Sequence, residues 1–389
     1  MDATAAHRAA SSIGKVRELD GLRGLLSLLV VLNHLNGSSL PWVWGCMDLF
    51  FALSGYLIGR GSLQHRHQPN FWWVYLRRRV VRIWPLYFAV LGFACAAAWI
   101  DVHYFHAPEE SLSWRVLQCV FFVQNSEFYW QPFTNGWGPG YPIMFGHAWS
   151  LALEEQFYLL APLLAWLMFA AGTWLTKRSG WLPWAVLALF LIACNLLRAE
   201  GIYTFLLLGR LDAFVLGTLV AVVEARSHAE PASSARAGRW FSALLIPGGG
   251  MAAVLALYSY SPSAPGGPLG LNAIPGVSVF AIFAAVLIGA IIFRRAPGMT
   301  AFLGWGPLRY AGTISYSTYL WHVPVMVLMT RMFWRASWIP GGYGLHAGLM
   351  ASVSLTIAHF SYRLIEAPML RAKPDYDRAY AGQPAQSPA

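Results

Sequence analysis

The sequence predicts an all-α integral membrane protein, a single bundle of about ten transmembrane helices with both termini in the cytoplasm. Three observations predict this class. Hydrophobic residues fill 57% of the 389 positions and charged residues only 11%, which leaves too little polar surface to cover a soluble core of this size. Apolar runs long enough to cross a bilayer recur along the whole chain. The basic residues between these runs fall mainly on one side of the predicted membrane.

The ten apolar runs define the predicted helices. Their approximate bounds are Leu19 to Leu35, Trp42 to Ile58, Val80 to Ile100, Ala148 to Ala170, Trp181 to Leu197, Ile202 to Val223, Trp240 to Tyr258, Ile274 to Phe293, Gly312 to Met332 and Tyr343 to Ile365. We expect residues 1–372 to form one membrane domain and residues 373–389 to form a short, disordered cytoplasmic tail. Residues 225–238 predict a flexible linker because they are rich in Ala, Ser and charged side chains.

The distribution of basic residues predicts the orientation of this bundle. With a cytoplasmic N-terminus, 21 of the 27 Lys and Arg residues fall on the cytoplasmic side and four on the other, while Arg23 and Arg210 lie within helices. Such an excess is typical of cytoplasmic loops of inner-membrane proteins. The net charge of +10 therefore reflects topology. No nucleic-acid-binding module is recognisable, and the four cysteines lack the spacing of a metal site.

Arg23 and His34 stand out inside the first apolar run, LDGLRGLLSLLVVLNHL. They are eleven residues apart, so a helix turns through about 1100° between them and both side chains project from one face, about 16 Å apart along the axis. A charged side chain at the centre of a membrane helix costs roughly 2.5 to 3.5 kcal/mol. We therefore expect both residues to face a polar site, although Arg23 could instead extend to the lipid headgroups and His34 could lie at the helix end.

Further polar residues fall at comparable predicted depths in other helices. These residues are Asp48, Ser150, Glu154, Glu155, Tyr158, Arg210, Asp212, Tyr319 and His322. Ser150 and Glu154 are four residues apart and share a helical face. Since isolated charges are costly in a bilayer, the sequence predicts a shared polar pocket at and above the membrane midplane.

A basic group at the cytoplasmic end of the third helix, YLRRRVVRIWPLY, contains Arg77, Arg78, Arg79 and Arg82. Guanidinium groups bind phosphate oxygens bidentately. These arginines therefore suit the phosphates of an activated donor, and the alternative is that they only anchor the topology.

Six segments together resemble the acyltransferase type-three family of multi-pass membrane proteins. They are RELDGLRG with ten residues between its Arg23 and His34, FFALSGYLIGR, Arg77-x-Arg79, WSLALEEQFYLL, GRLDAFVLG and SYSTYLWHVPV. This family includes O-antigen and exopolysaccharide O-acetyltransferases and macrolide acyltransferases. The resemblance implies an acyl-CoA donor and functional roles for Arg23, His34, Arg77 and Arg79.

The resemblance and the residues together predict a membrane O-acyltransferase of the bacterial inner membrane, which needs no metal. We expect Arg23, Arg77, Arg79 and Arg82 to bind acetyl-CoA. We expect His34 to be the general base, because an imidazole titrates near pH 6.5, with Glu154 or Asp48 orienting its ring. An acyl-histidine intermediate is an alternative route.

The remaining residues of the polar pocket are predicted to bind the acceptor. They are Ser150, Glu155, Tyr158, Arg210, Asp212, Tyr319 and His322. We expect the acceptor to be a hydroxyl of an O-antigen, an exopolysaccharide or a lipid-linked glycan. A small natural product such as a macrolide is an alternative acceptor. A secondary transporter is an alternative function, but no inverted repeat is visible; a passive flippase or scaffold for glycan export is another.

Overall fold

The computed structural model describes residues 16–35, 43, 45–105, 112–126, 145–199, 206–227, 231–259, 273–293, 297–335, 343–372, 374 and 376. All regular secondary structure within these ranges is helical. Residues 127–144, which are rich in Trp, Tyr, Phe, Gly and Pro, lie outside them.

Fourteen α-helices lie in the described part of the chain, and we number them in order. They are α1 (Arg17–Leu35), α2 (Gly45–Gln64), α3 (Phe71–Phe105), α4 (Leu112–Val120), α5 (Trp149–Arg178), α6 (Leu182–Ala199), α7 (Leu207–Ser227), α8 (Pro231–Ser259), α9 (Ala273–Ile292), α10 (Pro297–Leu303), α11 (Gly306–Thr313), α12 (Ser315–Arg335), α13 (Tyr343–Ser361) and α14 (Ala367–Arg371). A 3₁₀ turn, Gly146–Ala148, precedes α5, and a π-helical segment, Tyr362–Glu366, joins α13 to α14.

A helix is present at each of the ten predicted runs, with different bounds in several cases. The helix α3 begins at Phe71, so the arginine group lies inside it. The predicted linker at residues 225–238 is wrong, because α7 continues to Ser227 and α8 begins at Pro231. Proline suits the first turn of a helix, and Ala and Arg are strong helix formers.

Three helical stretches in the described ranges are long and apolar enough to cross a membrane. They are Phe71–Ile100, Gly146–Arg178 and Leu182–Ala199, and a fourth is possible if α9 and α10, bent by 93°, form one span. The helix α6 points apolar side chains outward: Leu189 is 68% exposed and Leu196 64%, whereas Arg198 is buried. Such an inverted pattern suits a lipid surround. The number of spans and the cytoplasmic termini stay predictions.

The centre of the bundle is formed by α2 and α7, which approach closely at two glycines. A Cβ on Gly55 would lie 2.1 Å from the carbonyl oxygen of Phe214, and one on Gly217 would lie 1.8 Å from that of Ala52. Small residues at such crossings let helix backbones touch. Beside them the ring of Phe214 stacks on Phe157 of α5, with ring centroids 4.1 Å apart. This contact ties α5 to the central pair.

The helix α1 is held in the same manner against α10 and α11. A Cβ on Gly21 would lie 1.8 Å from the carbonyl oxygen of Leu303, and one on Gly24 would lie 2.1 Å from that of Leu308. Gly312, at the end of α11, makes the reciprocal approach to the carbonyl oxygen of Asp20. Backbone contact therefore fixes the part of α1 that carries Arg23.

We predict that Gly24→Ala destabilises the protein although alanine favours helices. The added methyl group would overlap the Leu308 carbonyl, and such overpacking costs about 1 to 3 kcal/mol. Thermal unfolding in detergent measures the loss as a lower midpoint. Gly92→Ala in α3 is the matched control, since a Cβ there meets nothing within 4 Å. Equal midpoints for the two variants would contradict the close approach.

Candidate functional site

Two histidines from opposite ends of the sequence lie in contact. His34 near the end of α1 and His322 in α12 stack with ring centroids 5.1 Å apart and an interplanar angle of 13°. The His34 Nδ1 atom is 2.9 Å from the His322 Nε2 atom, and His322 Nδ1 is 2.6 Å from the carbonyl oxygen of Tyr319. The chain of polar atoms therefore runs from His34 through His322 to the α12 backbone.

These contacts determine which nitrogens carry protons when both rings are neutral. The Tyr319 carbonyl only accepts hydrogen bonds, so His322 Nδ1 carries a proton and its Nε2 has a lone pair. His34 Nδ1 must then donate to His322 Nε2. The lone pair of His34 is consequently on Nε2. An imidazole held in this tautomer can accept a proton at Nε2 while Nδ1 keeps its bond to His322.

Tyr319 and Ser150 join a third histidine to this pair. The Tyr319 hydroxyl donates to the carbonyl oxygen of His147 at 2.5 Å, so the Ser150 hydroxyl donates to Tyr319 at 2.6 Å. The His147 ring lies edge-on to His322, with centroids 5.0 Å apart. We name His34, His147 and His322 the histidine cluster.

A second polar group surrounds Glu154, one turn along α5 from Ser150. Its two carboxylate oxygens accept hydrogen bonds from Ser54 at 3.1 Å and from Tyr158 at 2.6 Å. The positive charges of Arg23 and Arg82 act on the same carboxylate. Glu154 therefore compensates the arginine charges and accepts a hydrogen bond from Tyr158. Among the described contacts it has no hydrogen bond to His34.

The arginines of α3 are divided between two faces of the helix. The guanidinium of Arg79 lies over the rings of Tyr75 and Tyr158, 5.8 and 5.4 Å from their centroids, and faces the Glu154 side. Arg77 is exposed and stacks on Trp73, which is itself 56% exposed. Two residues on a helix are about 200° apart, so Arg77 and Arg79 cannot share one face. Arg82 lies on the side of Arg79.

Glu366 is the additional carboxylate beside these arginines. It is 4% exposed, accepts a hydrogen bond from Ser317 at 2.9 Å, and experiences the charges of Arg82 and Arg23. It ends the π-helical segment, a local widening that often occurs at functional sites. We name Arg23, Arg79, Arg82, Glu154 and Glu366 the arginine cluster. Glu155 adjoins it, since the positive charge of Arg79 acts on its carboxylate.

The histidine cluster and the arginine cluster are arranged along the same helices. On α1, His34 belongs to the first and Arg23 to the second. On α5, Ser150 precedes Glu154 by one turn, and on α12 His322 follows Ser317. Three helices thus define a polar column with a basic end and an imidazole end, about 16 Å apart along α1.

Asp48, Arg210 and Asp212 belong to a separate, closed network. Asp48 receives Arg210 Nη1 at 2.8 and 3.0 Å, and Asp212 pairs with Arg198 at 3.0 Å. Ser278 donates to Asp212 at 2.7 Å. The expectation that Asp48 orients His34 finds no support in these contacts, because its carboxylate is already occupied by Arg210. Nor do the contacts of Asp212 direct it toward the polar column.

Sequence reasoning missed His147, Glu366 and Arg198 as members of polar clusters. His147 stood at a predicted helix boundary, and Glu366 lay just beyond the last predicted helix. The sequence did hold a sign of the role of Arg198, because a buried carboxylate such as Asp212 needs a cationic partner within the membrane.

The chain belongs to a known family of membrane acyltransferases. A family model described as an acyltransferase domain matches residues 16–361. This range includes both polar clusters apart from Glu366.

Individual relatives refine this assignment. The chain is 27% identical to the peptidoglycan O-acetyltransferase OatA of Listeria monocytogenes, over 91% of this chain and 56% of the relative. It is 27% identical to a Bacillus subtilis protein, YrhL, provisionally named a peptidoglycan O-acetyltransferase, over 90% of this chain and 54% of that protein. It is 28% identical to BcsY of Komagataeibacter xylinus, provisionally named a membrane-bound transacylase, over 90% of this chain and 82% of that protein. The chain thus spans about half the length of the two O-acetyltransferases. No solved structure matches it.

We predict that Asp48 stabilises the fold and takes no part in chemistry. Asp48→Asn leaves the buried Arg210 charge uncompensated, which costs about 3 to 5 kcal/mol, so thermal unfolding in detergent should occur at a clearly lower temperature. The double variant Asp48→Leu with Arg210→Met is the control. It should recover most of the stability and keep acyl transfer, and a folded but inactive double variant would return Asp48 to the catalytic candidates.

Proposed function

We propose that this protein is a membrane O-acyltransferase that moves an acetyl group from acetyl-CoA to a hydroxyl of a glycan. The observation that carries the proposal is the 2.9 Å contact between His34 Nδ1 and His322 Nε2 at one end of the polar column. It supplies an oriented base, and the opposite end of the column supplies cations. Membership of the acyltransferase family supports the reaction class.

The donor would bind with its phosphates at the arginine cluster. Arg79, Arg82 and Arg23 present guanidinium groups, which suit phosphate and pyrophosphate oxygens. The pantetheine arm of coenzyme A is long enough to cross roughly half a bilayer, and the distance from Arg23 to His34 along α1 is about 16 Å. A donor bound in this way carries its thioester to the histidine cluster. Tyr158 and Glu155, which were expected to bind the acceptor, lie beside Arg79 at this end of the column.

His34 would act as the general base of the transfer. A thioester is already activated, so the protein needs to orient it and to raise the nucleophilicity of the acceptor hydroxyl. The His34 Nε2 lone pair accepts the hydroxyl proton, while Nδ1–H keeps its bond to His322. His322 is a positioning residue, because it holds the His34 tautomer through its own bond to the Tyr319 carbonyl.

The proposed acceptor is a bacterial glycan of the cell envelope. The names of two relatives specify peptidoglycan, and the acceptor of this chain follows by analogy with them. Ser150, one turn from Glu154 on α5, and Tyr319, beside the histidine cluster on α12, would contact the acceptor. Under the same proposal, residues 1–372 form one membrane domain. This domain lies in the bacterial inner membrane and receives coenzyme A from the cytoplasm.

We predict that Arg79→Ala weakens acetyl-CoA binding and that Arg77→Ala does not. A charge-assisted contact is worth roughly 1.5 to 3 kcal/mol, so the dissociation constant should rise at least about tenfold for Arg79→Ala. Isothermal titration of the full-length protein in detergent measures this constant. Arg77 is the matched control because it is exposed on the other face of α3, and its variant should bind within about threefold of the wild type.

Arg79→Lys should recover only part of the affinity, because a point charge cannot reproduce a bidentate contact. Equal binding by Arg79→Ala and the wild type would exclude the arginine cluster as the phosphate site.

We predict that His34→Ala lowers the rate of acetyl transfer by about 10² to 10⁴ and leaves acetyl-CoA affinity within about tenfold. The measurement is transfer of radiolabelled acetyl from acetyl-CoA to isolated peptidoglycan strands. The exposed His67 provides the control, since His67→Ala should keep the wild-type rate. Normal turnover by a folded His34→Ala variant would refute His34 as the base. Rapid quench without acceptor distinguishes an acyl-histidine route, which would leave label on the protein.

A further inference from the structure

We infer that His147 is a second catalytic residue, an N–H donor that stabilises the oxyanion formed from the thioester carbonyl. This inference rests on the proposed function and adds a residue and a role to it. It starts from an unusual feature of the ring. His147 is 2% exposed, and neither of its ring nitrogens has a hydrogen-bond partner among the described residues.

A neutral imidazole always carries one N–H group and one lone pair. Leaving a buried polar group unpaired costs free energy, so such groups are rare and need an explanation. The backbone carbonyls of Tyr319 and Leu320 lie near the His147 ring and act on it, but neither ring nitrogen reaches hydrogen-bonding geometry with them. The His147 N–H is therefore available to a ligand that enters the polar column.

The other polar groups around the histidine cluster have partners already. His322 Nδ1 donates to the Tyr319 carbonyl and its Nε2 accepts from His34. The Tyr319 hydroxyl donates to the His147 carbonyl and accepts from Ser150. A group entering the cluster thus finds His147 without a partner.

The backbone at His147 is firmly positioned for this role. The Tyr319 hydroxyl holds its carbonyl at 2.5 Å, and the ring packs edge-on against His322 at 5.0 Å and against Tyr319 at 5.3 Å. The rings of His147 and His34 both contact the His322 ring, with centroids 5.0 and 5.1 Å from it. A donor fixed before the reaction needs no reorganisation as charge develops, which is the requirement for an oxyanion site.

The transfer then proceeds with a defined role for each ring. His34 Nε2 takes the proton of the acceptor hydroxyl, and the oxygen attacks the thioester carbon. The C=O electron pair moves onto the carbonyl oxygen, where the His147 N–H donates to the negative charge. When the C=O bond re-forms, the C–S bond breaks and the coenzyme A sulfur takes the proton from His34. The products are the acetyl ester and free coenzyme A, and both histidines return to their neutral forms.

The test compares three variants of the full-length protein in detergent with carbonyl-¹³C acetyl-CoA bound. Isotope-edited infrared spectra report hydrogen bonding to the thioester carbonyl as a shift to lower wavenumber, and no acceptor is needed. We expect the shift in the wild type and in His34→Gln, its loss in His147→Leu, and its partial return in His147→Gln, whose amide N–H can replace the imidazole donor. Titration with acetyl-CoA should give dissociation constants within about threefold for all four proteins, which shows that each is folded.

Turnover supplies the second readout. Loss of an oxyanion donor should lower kcat about 10² to 10³ fold with little change in KM for acetyl-CoA. The pH profile should keep its wild-type shape in His147→Leu, because the base His34 is intact, whereas His34→Gln should lose the limb that reports the base.

The outcomes separate this inference from the proposed function. Failure of the wild type to bind acetyl-CoA would refute the proposed function itself. An unshifted carbonyl in the bound wild type, or the same shift in His147→Leu, would overturn the role of His147 and leave the acyltransferase proposal standing.

Discussion

The contact of the α1 backbone with α10 and α11 is the constraint on which the polar column depends. Three glycines, Gly21, Gly24 and Gly312, let carbonyl oxygens approach to distances that no side chain permits. The helix α1 carries both Arg23 and His34, so its depth sets the level of the two clusters together. A displacement of α1 along its axis would separate His34 from His322 and Arg23 from Glu154 in one movement.

Charge compensation explains why the polar residues divide into two groups. The network of Asp48, Arg210, Arg198 and Asp212 is closed, with each charge paired inside the bundle. Such a network links α2, α6 and α7 and offers little to a ligand. The arginine cluster differs in that cations from α1 and α3 surround carboxylates from α5 and the π-helical segment. The carboxylates compensate the charge of these arginines, and under the proposed function the phosphates of coenzyme A would take over that role.

The sequence predicted the elements of the site better than its pairings. The eleven-residue spacing placed Arg23 and His34 on one face, and four-residue spacing placed Ser150 beside Glu154 along α5. Predicted depth could not show which partner each charge meets, so Asp48 was associated with His34 when it pairs with Arg210. The prediction that Arg77 and Arg79 bind one donor together overlooked that a two-residue spacing places their side chains about 200° apart on a helix. His147 escaped detection because a single histidine at a helix boundary has no periodicity.

The residue that bonds to the proposed base His34 determines how strongly that base can be assisted, and this residue is His322. A carboxylate beside His34 would stabilise an imidazolium strongly, but an ionised carboxylate in an apolar bundle needs compensation of its own. The structure instead supplies a neutral imidazole that leads to the Tyr319 carbonyl. This arrangement orients His34 without burying a further charge, and it supports proton transfer only modestly. A thioester has a good leaving group, so in the proposed reaction a weakly assisted base and the inferred oxyanion donor at His147 would be sufficient for acyl transfer from coenzyme A.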